Sequence, residues 1–318
     1  MRRRAVLGVF ACAAGLAGMA RVRARPAVFV SESFALGTRV RLQIVAEDGL
    51  TARAQAAALL AELRRLEQIF SLYDPQSALA RLNREGRLQA PPPELLEVLR
   101  LCAQLYAASE GRFDPTVQPL YALFAEHFSR LPTPPPQAAV EAARARIGFS
   151  RVRLAAECLA LAPGAALTLN GIAQGAIADR LLECARRCGL EAACLDTGEI
   201  VALGRPPGKL AWDVVVQSGP LPKSLLPLRD RAVAVAHAGA THFDRAGLWT
   251  HILDPLSGRP APPLRAAWVV AEKAALADGL ATALCLLKPA QALALLRQFA
   301  TEQAGLVDAD GKVYHYRA

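Results

Sequence analysis

The sequence lacks several features that would place it in a common class of protein. No two of its seven cysteines are spaced as C-x-x-C, which excludes that metal-ligand pattern. No internal repeat or low-complexity tract occurs, and no apolar run after the first 24 residues suits a membrane span. With 53% hydrophobic and 20% charged residues, the chain is typical of a folded protein rather than a disordered one.

The sequence also lacks the cysteine spacing of a disulfide-rich protein. Six cysteines follow the N-terminal segment, and an exported protein could oxidise them. However, Cys184 and Cys188 fall on one face of a predicted helix, and the spacings do not form a dense disulfide framework. We therefore expect free, buried thiols in an Ala/Leu-rich core.

The first 24 residues have the pattern of a secretory signal peptide. Arg2, Arg3 and Arg4 precede an apolar, small-residue run that ends near Ala20, with Ala24 as a second small residue at which cleavage could occur. The Arg3-Arg4 pair also resembles a twin-arginine export signal. We expect residues 1–24 to be removed on export to the periplasm. An uncleaved signal that anchors the chain in the inner membrane is the alternative.

The net charge gives no sign of a nucleic-acid partner. The formal charge is +9, but residues 1–24 contain five arginines and no acidic residue, which leaves +4 on residues 25–318. This residual charge is spread as single side chains and forms no basic stripe. The sequence therefore predicts no nucleic-acid binding, although a modest preference for an anionic substrate is compatible with it.

The secondary-structure pattern predicts one α+β domain over residues 25–318. Residues 27–46 have the pattern of two paired strands, and Thr51–Ile69 that of a helix capped by Thr51. Other helices are predicted at Pro93–Ser109, Ala274–Leu287 and Pro289–Ala300. Strands are predicted at 151–155, 158–161, 165–169, 192–196, 199–204, 211–217, 232–237, 266–271 and 313–316. Hairpin-like neighbours outnumber βαβ units, so we expect mostly antiparallel sheets with packed helices.

The segment Leu167–Arg180, LTLNGIAQGAIADR, is the most informative part of the chain. An apolar, strand-like run enters a turn that contains Gly171 and Gly175, and the chain then continues as a predicted helix over Ala176–Cys188. Glycines at such a junction allow close approach of a ligand, and the helix start offers free N–H groups to phosphate. A tight strand-to-helix connection with no ligand is the alternative.

Two further segments carry groups suited to metal binding and proton transfer. Asp278 and Thr282 are spaced i, i+4 at the predicted start of a helix, and their oxygens suit a hard ion such as Mg²⁺. An exposed first turn with a buried threonine is the alternative. His251 ends a predicted strand before Asp254 and Pro255, and histidine is suited to proton transfer near neutral pH. A structural turn residue is the alternative there.

Two turns carry groups that could contact a ligand. Tyr73 lies in a turn after the first long helix, where its ring could stack on a base. The segment Glu110–Thr116 is a second glycine turn, with an acidic residue before proline and a threonine after it. A tyrosine without a ligand and a plain capped loop are the respective alternatives.

Together these segments resemble the ApbE family of FAD:protein FMN transferases over about residue 31 to the C-terminus. The segments that carry the resemblance are Leu36-Gly37-Thr38, Phe70–Ser77, Glu110–Val117, Asn170–Asp179, Asp196–Ile200, His251–Gly258 and Asp278–Thr282. The motif Asn-Gly-Ile-Ala-Gln-Gly, followed by Asp-Thr-Gly-Glu-Ile, looks most like the corresponding motifs of the NosX-type branch. Members of that branch are exported accessories of nitrous oxide reductase maturation.

The resemblance implies a Mg²⁺-dependent reaction in which FMN is transferred from FAD to a threonine or serine of an acceptor protein and AMP is released. Asp278 and Thr282 would hold the metal with the backbone carbonyls of Gly171 and Ala281, and His251 would deprotonate the acceptor hydroxyl. The residues that would contact FAD are Leu36, Tyr73, Gly111, Arg112, Phe113, Thr168, Gln174 and Ile252. The implied fold is a single domain of the ApbE type.

The sequence departs from the family pattern at several of these positions. Leu36 stands where methionine is usual, Thr168 where an acid is common, and Gln174 where lysine is common. The stretch Ala236–Gly239 replaces an expected Ser-Gly element and introduces His237. Two alternative functions therefore stay open: an FAD pyrophosphatase that gives FMN and AMP, and a periplasmic FAD-binding or delivery protein without catalysis.

Overall fold

The computed structural model describes residues 25–35, 37–260 and 264–318. The predictions for the signal segment 1–24 and for Leu36 lie outside these residues. Within the described ranges, no helix is both long enough and apolar enough to cross a membrane.

A large antiparallel sheet forms the centre of the molecule. Its strand order is β1-β2-β6-β7-β10-β11-β12-β13, and every pair of neighbours is antiparallel. The strands in chain order are β1 (Ala27–Ala35), β2 (Thr38–Ala46), β3 (Arg87–Gln89), β4 (Arg153–Leu154), β5 (Cys158–Ala160), β6 (Ala193–Asp196), β7 (Ile200–Leu203), β8 (Trp212–Val216), β9 (Ser224–Leu228), β10 (Arg231–His237), β11 (Leu264–Ala271), β12 (Gln303–Asp308) and β13 (Val313–Arg317). Strands β3, β5 and β4 form a small second sheet, and β8 pairs with β9. The predicted α+β class with mostly antiparallel sheets is confirmed.

Helices cover one face of the central sheet and position the candidate site. The helices in chain order are α1 (Gly49–Phe70), α2 (Ala78–Glu85), α3 (Pro93–Ala108), α4 (Gln118–Arg130), α5 (Gln137–Arg144), α6 (Ala173–Arg187), α7 (Ala274–Cys285) and α8 (Pro289–Gln298). Helix α7 packs on β10 and β11, α6 packs on α7, and α1 packs on α6. Leu59, Leu63 and Leu66 show why α1 forms, because apolar residues at this spacing share one buried stripe.

Two smaller cores complete the fold. The hairpin of β8 and β9 covers the opposite face of the sheet, where Trp212 and Trp268 are buried. Helices α4 and α5 form a third core with the loop that precedes His251, through a cluster of aromatic rings that includes Phe124, Phe243 and Trp249. This cluster attaches the His251 loop to α4.

The structure corrects two of the local predictions. Thr51 does not cap α1; Asp48 does, because its Oδ1 accepts hydrogen bonds from the N–H groups of Leu50 and Thr51, both at 2.8 Å. Residues 165–169 are not a strand. The backbone of Leu167 instead forms two hydrogen bonds with the side chain of Asn83, at 2.7 and 2.8 Å, and these take the place of a neighbouring strand.

The helix after the glycine turn begins earlier than predicted, whereas the helix that carries Asp278 begins at the predicted residue. Helix α6 begins at Ala173 rather than Ala176, and the N–H of Ala173 donates to the Leu169 carbonyl at 2.7 Å. Helix α7 begins at Ala274, as predicted, so Asp278 lies in its second turn rather than at its start and is buried. The alternative of an exposed first turn at Asp278 is therefore wrong.

Candidate active site

A cavity of about 390 Å³ lies between the glycine turn, α7, the end of β10 and the loop around His251. It brings together most of the residues that the sequence analysis singled out. Those that line it are Arg112, Phe113, Thr168, Gly171, Gln174, His251, Ile252, Asp278 and Thr282. Residues far apart in the chain therefore share the lining of one cavity.

Gly171 and Thr282, which both line this cavity, are in direct contact. A methyl group placed on Gly171 would lie 2.9 Å from both Oγ1 and Cγ2 of Thr282. Because real Cβ atoms do not approach other atoms so closely, the turn can reach α7 only with glycine at this position. Thr282 follows Asp278 by four residues, so both side chains lie on the same face of α7.

Asp278 is a buried carboxylate with little compensation from the protein. Its Oδ2 accepts a hydrogen bond from the N–H of Gly175 at 3.0 Å, in the first turn of α6. Burial nevertheless raises the pKa of Asp278 to about 7. A cation at this position would favour the charged form of the carboxylate.

Glu199 adds a second buried carboxylate to the same cavity. Its Oε2 accepts a hydrogen bond from the N–H of Val235 at 3.1 Å. Burial raises the pKa of Glu199 well above its usual range, and the negative charge of Asp278 raises it further. The segment Asp196–Ile200 is one of those that carry the family resemblance, but the resemblance assigns no role to Glu199. The available signal was an acidic residue directly after a glycine turn and before a buried strand.

His251 has the surroundings of a neutral base. Its Nδ1 lies 3.3 Å from the carbonyl oxygen of Thr241, which can only accept, so the proton belongs on Nδ1 and Nε2 keeps a lone pair. Burial lowers the pKa of His251 and outweighs the backbone hydrogen bonds at Thr241 and Ala238, which raise it, while the nearby His237 and His242 lower it slightly more. At neutral pH the ring is therefore uncharged and able to accept a proton.

The predicted FAD contacts are only partly brought together. Arg112 lines the cavity with its Nη1 3.4 Å from Asp254 Oδ2, and Gln174 packs closely against Gly198. Tyr73 is 86% exposed and lines an adjoining cleft of about 780 Å³.

The two remaining predicted residues are buried outside the cavity lining. Gly111 packs against the ring of Tyr106, and Ala281 lies in the body of α7, one position before Thr282.

Other residues that sequence reasoning left without a role also line the cavity. Tyr121 and Asn170 belong both to the cavity and to the adjoining cleft, so they mark the place where the two meet. His237 lines the cavity, and its ring lies on Gly219, where a methyl group would come within 2.1 Å of Cε1. Tyr121 lies on α4, shortly after the proline at the start of that helix. No local sequence pattern distinguishes it from a core tyrosine.

The donor atoms at Gly171, Asp278 and Thr282 fit a hard cation. In the described ranges, no group of three or more His, Cys, Asp and Glu side chains is arranged to hold a metal ion. A site here therefore relies on one carboxylate, one hydroxyl and backbone carbonyls. Mg²⁺ favours oxygen donors of this kind and usually completes its shell with water and substrate phosphate. The residues present thus suit Mg²⁺ in company with a phosphate-bearing ligand.

Comparison with known proteins agrees with this geometry. The model of the ApbE family matches residues 36–306, which is most of the chain. The chain belongs to the ApbE family. Its relatives in that family include the FAD:protein FMN transferase of Treponema pallidum, 30% identical over 96% of this chain and 92% of that protein. That of Chlamydia trachomatis is 32% identical over 69% of this chain and 71% of its own length.

Solved ApbE structures share the fold. The flavinyl transferase ApbE of Pseudomonas stutzeri, in its apo form, superposes with a TM-score of 0.79 at 27% identity, over 92% of this chain and 95% of that one. The flavin transferase ApbE of Vibrio cholerae gives a TM-score of 0.81 at 21% identity. The predicted ApbE family and the predicted fold are confirmed, whereas the NosX-type branch stays a prediction.

Proposed function

We propose that this chain transfers FMN from FAD to a threonine or serine hydroxyl of an acceptor protein, with Mg²⁺, and releases AMP. The family and the names of its relatives support the reaction class. The contact between Gly171 and Thr282, in a cavity that Asp278 and His251 also line, is the observation that carries the proposal. It combines a hard-cation donor set and a base in one cavity.

The residues of the cavity can be given distinct tasks in this reaction. Asp278, Thr282 and the carbonyls of Gly171 and Ala281 would hold the cation. Bound there, Mg²⁺ would neutralise charge on the pyrophosphate and on the leaving AMP. His251 Nε2 would accept the proton of the acceptor hydroxyl as its oxygen attacks phosphorus. A bound cation would favour the charged forms of Asp278 and Glu199, and their carboxylates would then balance its charge.

FAD would extend from the cavity into the adjoining cleft. The cavity alone offers about 390 Å³, and the cleft that meets it at Tyr121 and Asn170 adds about 780 Å³. Tyr73, exposed in that cleft, is free to stack on a planar ring. Phe113 and Ile252 are buried and offer apolar contact in the cavity, where Arg112 provides a positive charge for phosphate. This extended placement accommodates both Tyr73 and the cavity residues as FAD contacts.

The export pattern of residues 1–24 supports a place for this activity outside the cytoplasm. We propose a periplasmic protein, with anchoring by an uncleaved signal as the alternative outcome. The acceptor would then be an exported flavoprotein. The motif of the glycine turn resembles that of the NosX-type branch, which favours an acceptor that serves nitrous oxide reductase.

The deciding experiment incubates the purified chain with FAD, Mg²⁺ and a candidate acceptor domain that carries a threonine. Flavin fluorescence on the acceptor band, lost in EDTA and with an acceptor Thr→Ala variant, is the expected result. Release of FMN and AMP without labelling would instead indicate a pyrophosphatase. Bound FAD that stays intact would indicate a carrier, and either result would overturn the transferase proposal.

A further inference from the structure

A half-buried carboxylate, that of Asp179, holds the start of α7 from outside the cavity. Its Oδ1 accepts the N–H of Ala274 at 2.8 Å and its Oδ2 accepts the N–H of Ala275 at 3.0 Å. These are the first two N–H groups of α7, which have no partner within their own helix. Lys273 at the N-cap position forms no side-chain hydrogen bond to this helix end. Asp179 of α6 therefore supplies the cap that α7 lacks.

The capping is reciprocal between the two helices. Asp278 of α7 accepts the N–H of Gly175 in the first turn of α6. Gly175 precedes Asp179 by four residues, and Ala274 precedes Asp278 by four residues, so each helix contributes one turn. Two helical turns and three hydrogen bonds thus form a closed ring in which each helix start is fixed by a carboxylate of the other.

The ring leaves no room for the helices to slide. A methyl group placed on Gly175 would lie 2.3 Å from the carbonyl oxygen of Ala274 and 2.8 Å from the nitrogen of Ala275. The backbones are therefore in direct contact at the point where the caps join them. The glycine turn with Gly171 leads into α6, and α7 carries Thr282, so the ring sets the distance between these two residues.

Asp179 does not line the candidate active site. It borders a separate cavity of about 280 Å³ together with Arg180, Glu183 and Lys273. A residue so placed touches neither FAD nor the acceptor and can act only through the helices that it joins. Outer residues of this kind orient the ligands of a metal site, and their loss typically lowers metal affinity by about 10–100-fold.

We propose that Asp179 is a positioning residue that keeps Asp278 and Thr282 of α7 in register with Gly171. The role in cation binding rests on the proposed function, whereas the mechanical link between the two helix starts does not. Removal of the Asp179 carboxylate should loosen the start of α7 and, through Asp278, the N–H of Gly175 on the other helix.

The test uses the full chain with Asp179→Ala and Asp179→Asn, the latter keeping one acceptor oxygen in the same shape. Glu183→Gln is the matched control, since Glu183 is a carboxylate of α6 at the same cavity that pairs with Arg180 and Lys273 and caps no helix. Hydrogen exchange is followed by mass spectrometry with residue-level fragmentation at Ala274, Ala275 and Gly175. Mn²⁺ affinity is measured by electron paramagnetic resonance without FAD, and Asp278→Ala reports whether Mn²⁺ occupies this site.

In Asp179→Ala we expect faster exchange at all three amides and Mn²⁺ affinity lower by about tenfold or more, with Asp179→Asn in between and Glu183→Gln like wild type. Unchanged exchange at Gly175 would reduce Asp179 to a local cap and overturn the proposal. Faster exchange at Gly175 with Mn²⁺ affinity within twofold of wild type would overturn its positioning role at the metal. If Asp278→Ala bound Mn²⁺ as tightly as wild type, the metal assignment in the proposed function would fail, and the exchange result would still decide the link between the helices.

Discussion

The backbone of Gly171 lies against the side chain of Thr282, with no space between them for a methyl group. This contact joins a turn before α6 to the second half of α7, about 110 residues further along the chain. Both residues line the same cavity, and Asp278 lies one turn earlier on the same helix face as Thr282. The candidate cation site therefore depends on a close approach that only glycine allows.

Gly171→Ala should displace Thr282 or the turn and weaken the cation site. We expect Mg²⁺ affinity, taken from the Mg²⁺ dependence of acceptor labelling, to fall by about 10–100-fold. Overpacking of this kind costs about 1–3 kcal/mol of folding free energy. Gly49→Ala is the matched control, because a methyl group there lies 3.6 Å from Phe29 Cε1, an ordinary contact. Equal Mg²⁺ dependence in both variants would show that the Gly171 contact does not shape the site.

Asp278 should make the metal-free protein less stable as pH rises. Its folded-state pKa is about 7, above the usual 3.8, so the folded chain binds a proton that the unfolded chain releases. Stability from this group is complete below about pH 4 and is lost as pH rises through 7, with a slope of at most about 1.4 kcal/mol per pH unit. Thermal unfolding from pH 5 to 8.5 in EDTA measures it.

Asp278→Asn isolates this effect, because other buried acids such as Glu199 contribute slopes of the same sign. The variant should unfold at a higher temperature than wild type at pH 8 in EDTA and should show no labelling. Mg²⁺ should stabilise wild type at pH 8 and leave the variant unchanged, since a ligand stabilises only the state that binds it. Parallel pH profiles of the two proteins would contradict the assignment of the slope to Asp278.

Local patterns in the sequence were sufficient for much of the fold. The alternation in 39–44 predicts β2, and the apolar stripe of 51–69 predicts α1, because each pattern matches the period of its element. Strands β3, β9 and β12 were missed. Strand β3 has only three residues, too few for a periodic pattern. Pro227 lies within β9, and Gly305 interrupts the apolar pattern of β12, where it makes room for the ring of Trp268.

The sequence predicts many of the cavity residues individually, but it does not predict the hydrogen bonds that hold the two helices of the site together. Asp179 and Asp278 each cap the helix that carries the other, across about 100 residues of chain, and no spacing rule reports such a pair. Glu199 was not predicted as a site residue for a related reason, since its role depends on burial beside Asp278. Tyr73 was correctly placed in a turn, yet which cavity it would border depends on how α4 packs.

Tyr73→Ala should weaken FAD binding without harming the fold. The side chain is 86% exposed, so its removal deletes little packing, and we expect an unchanged unfolding temperature. Loss of ring stacking typically costs about 1–3 kcal/mol, which corresponds to a rise in the KM for FAD of about 5–150-fold with kcat nearly unchanged. Tyr73→Phe keeps the ring and should behave like wild type. A fall in kcat with unchanged KM would contradict a role in FAD binding.

His251→Gln should remove the base and change the pH profile of the reaction. The pKa of His251 is lowered below 6.5 by burial, so wild-type kcat should fall only at acidic pH, as the ring gains a proton and can no longer accept one. The variant should lose this acidic limb and lower kcat by about 10²–10⁴-fold, with FAD affinity unchanged. Single-turnover labelling between pH 5 and 9 measures both effects.

His315→Gln is the matched control for this experiment, because His315 is an exposed histidine on the edge strand β13, outside the cavity lining. It should keep the wild-type rate and the acidic limb. If His251→Gln retained that limb, the titrating group would have to be another one that lines the cavity, and His237, whose pKa burial also lowers, would be the next residue to replace. A His251→Gln rate within twofold of wild type would exclude His251 as the base altogether.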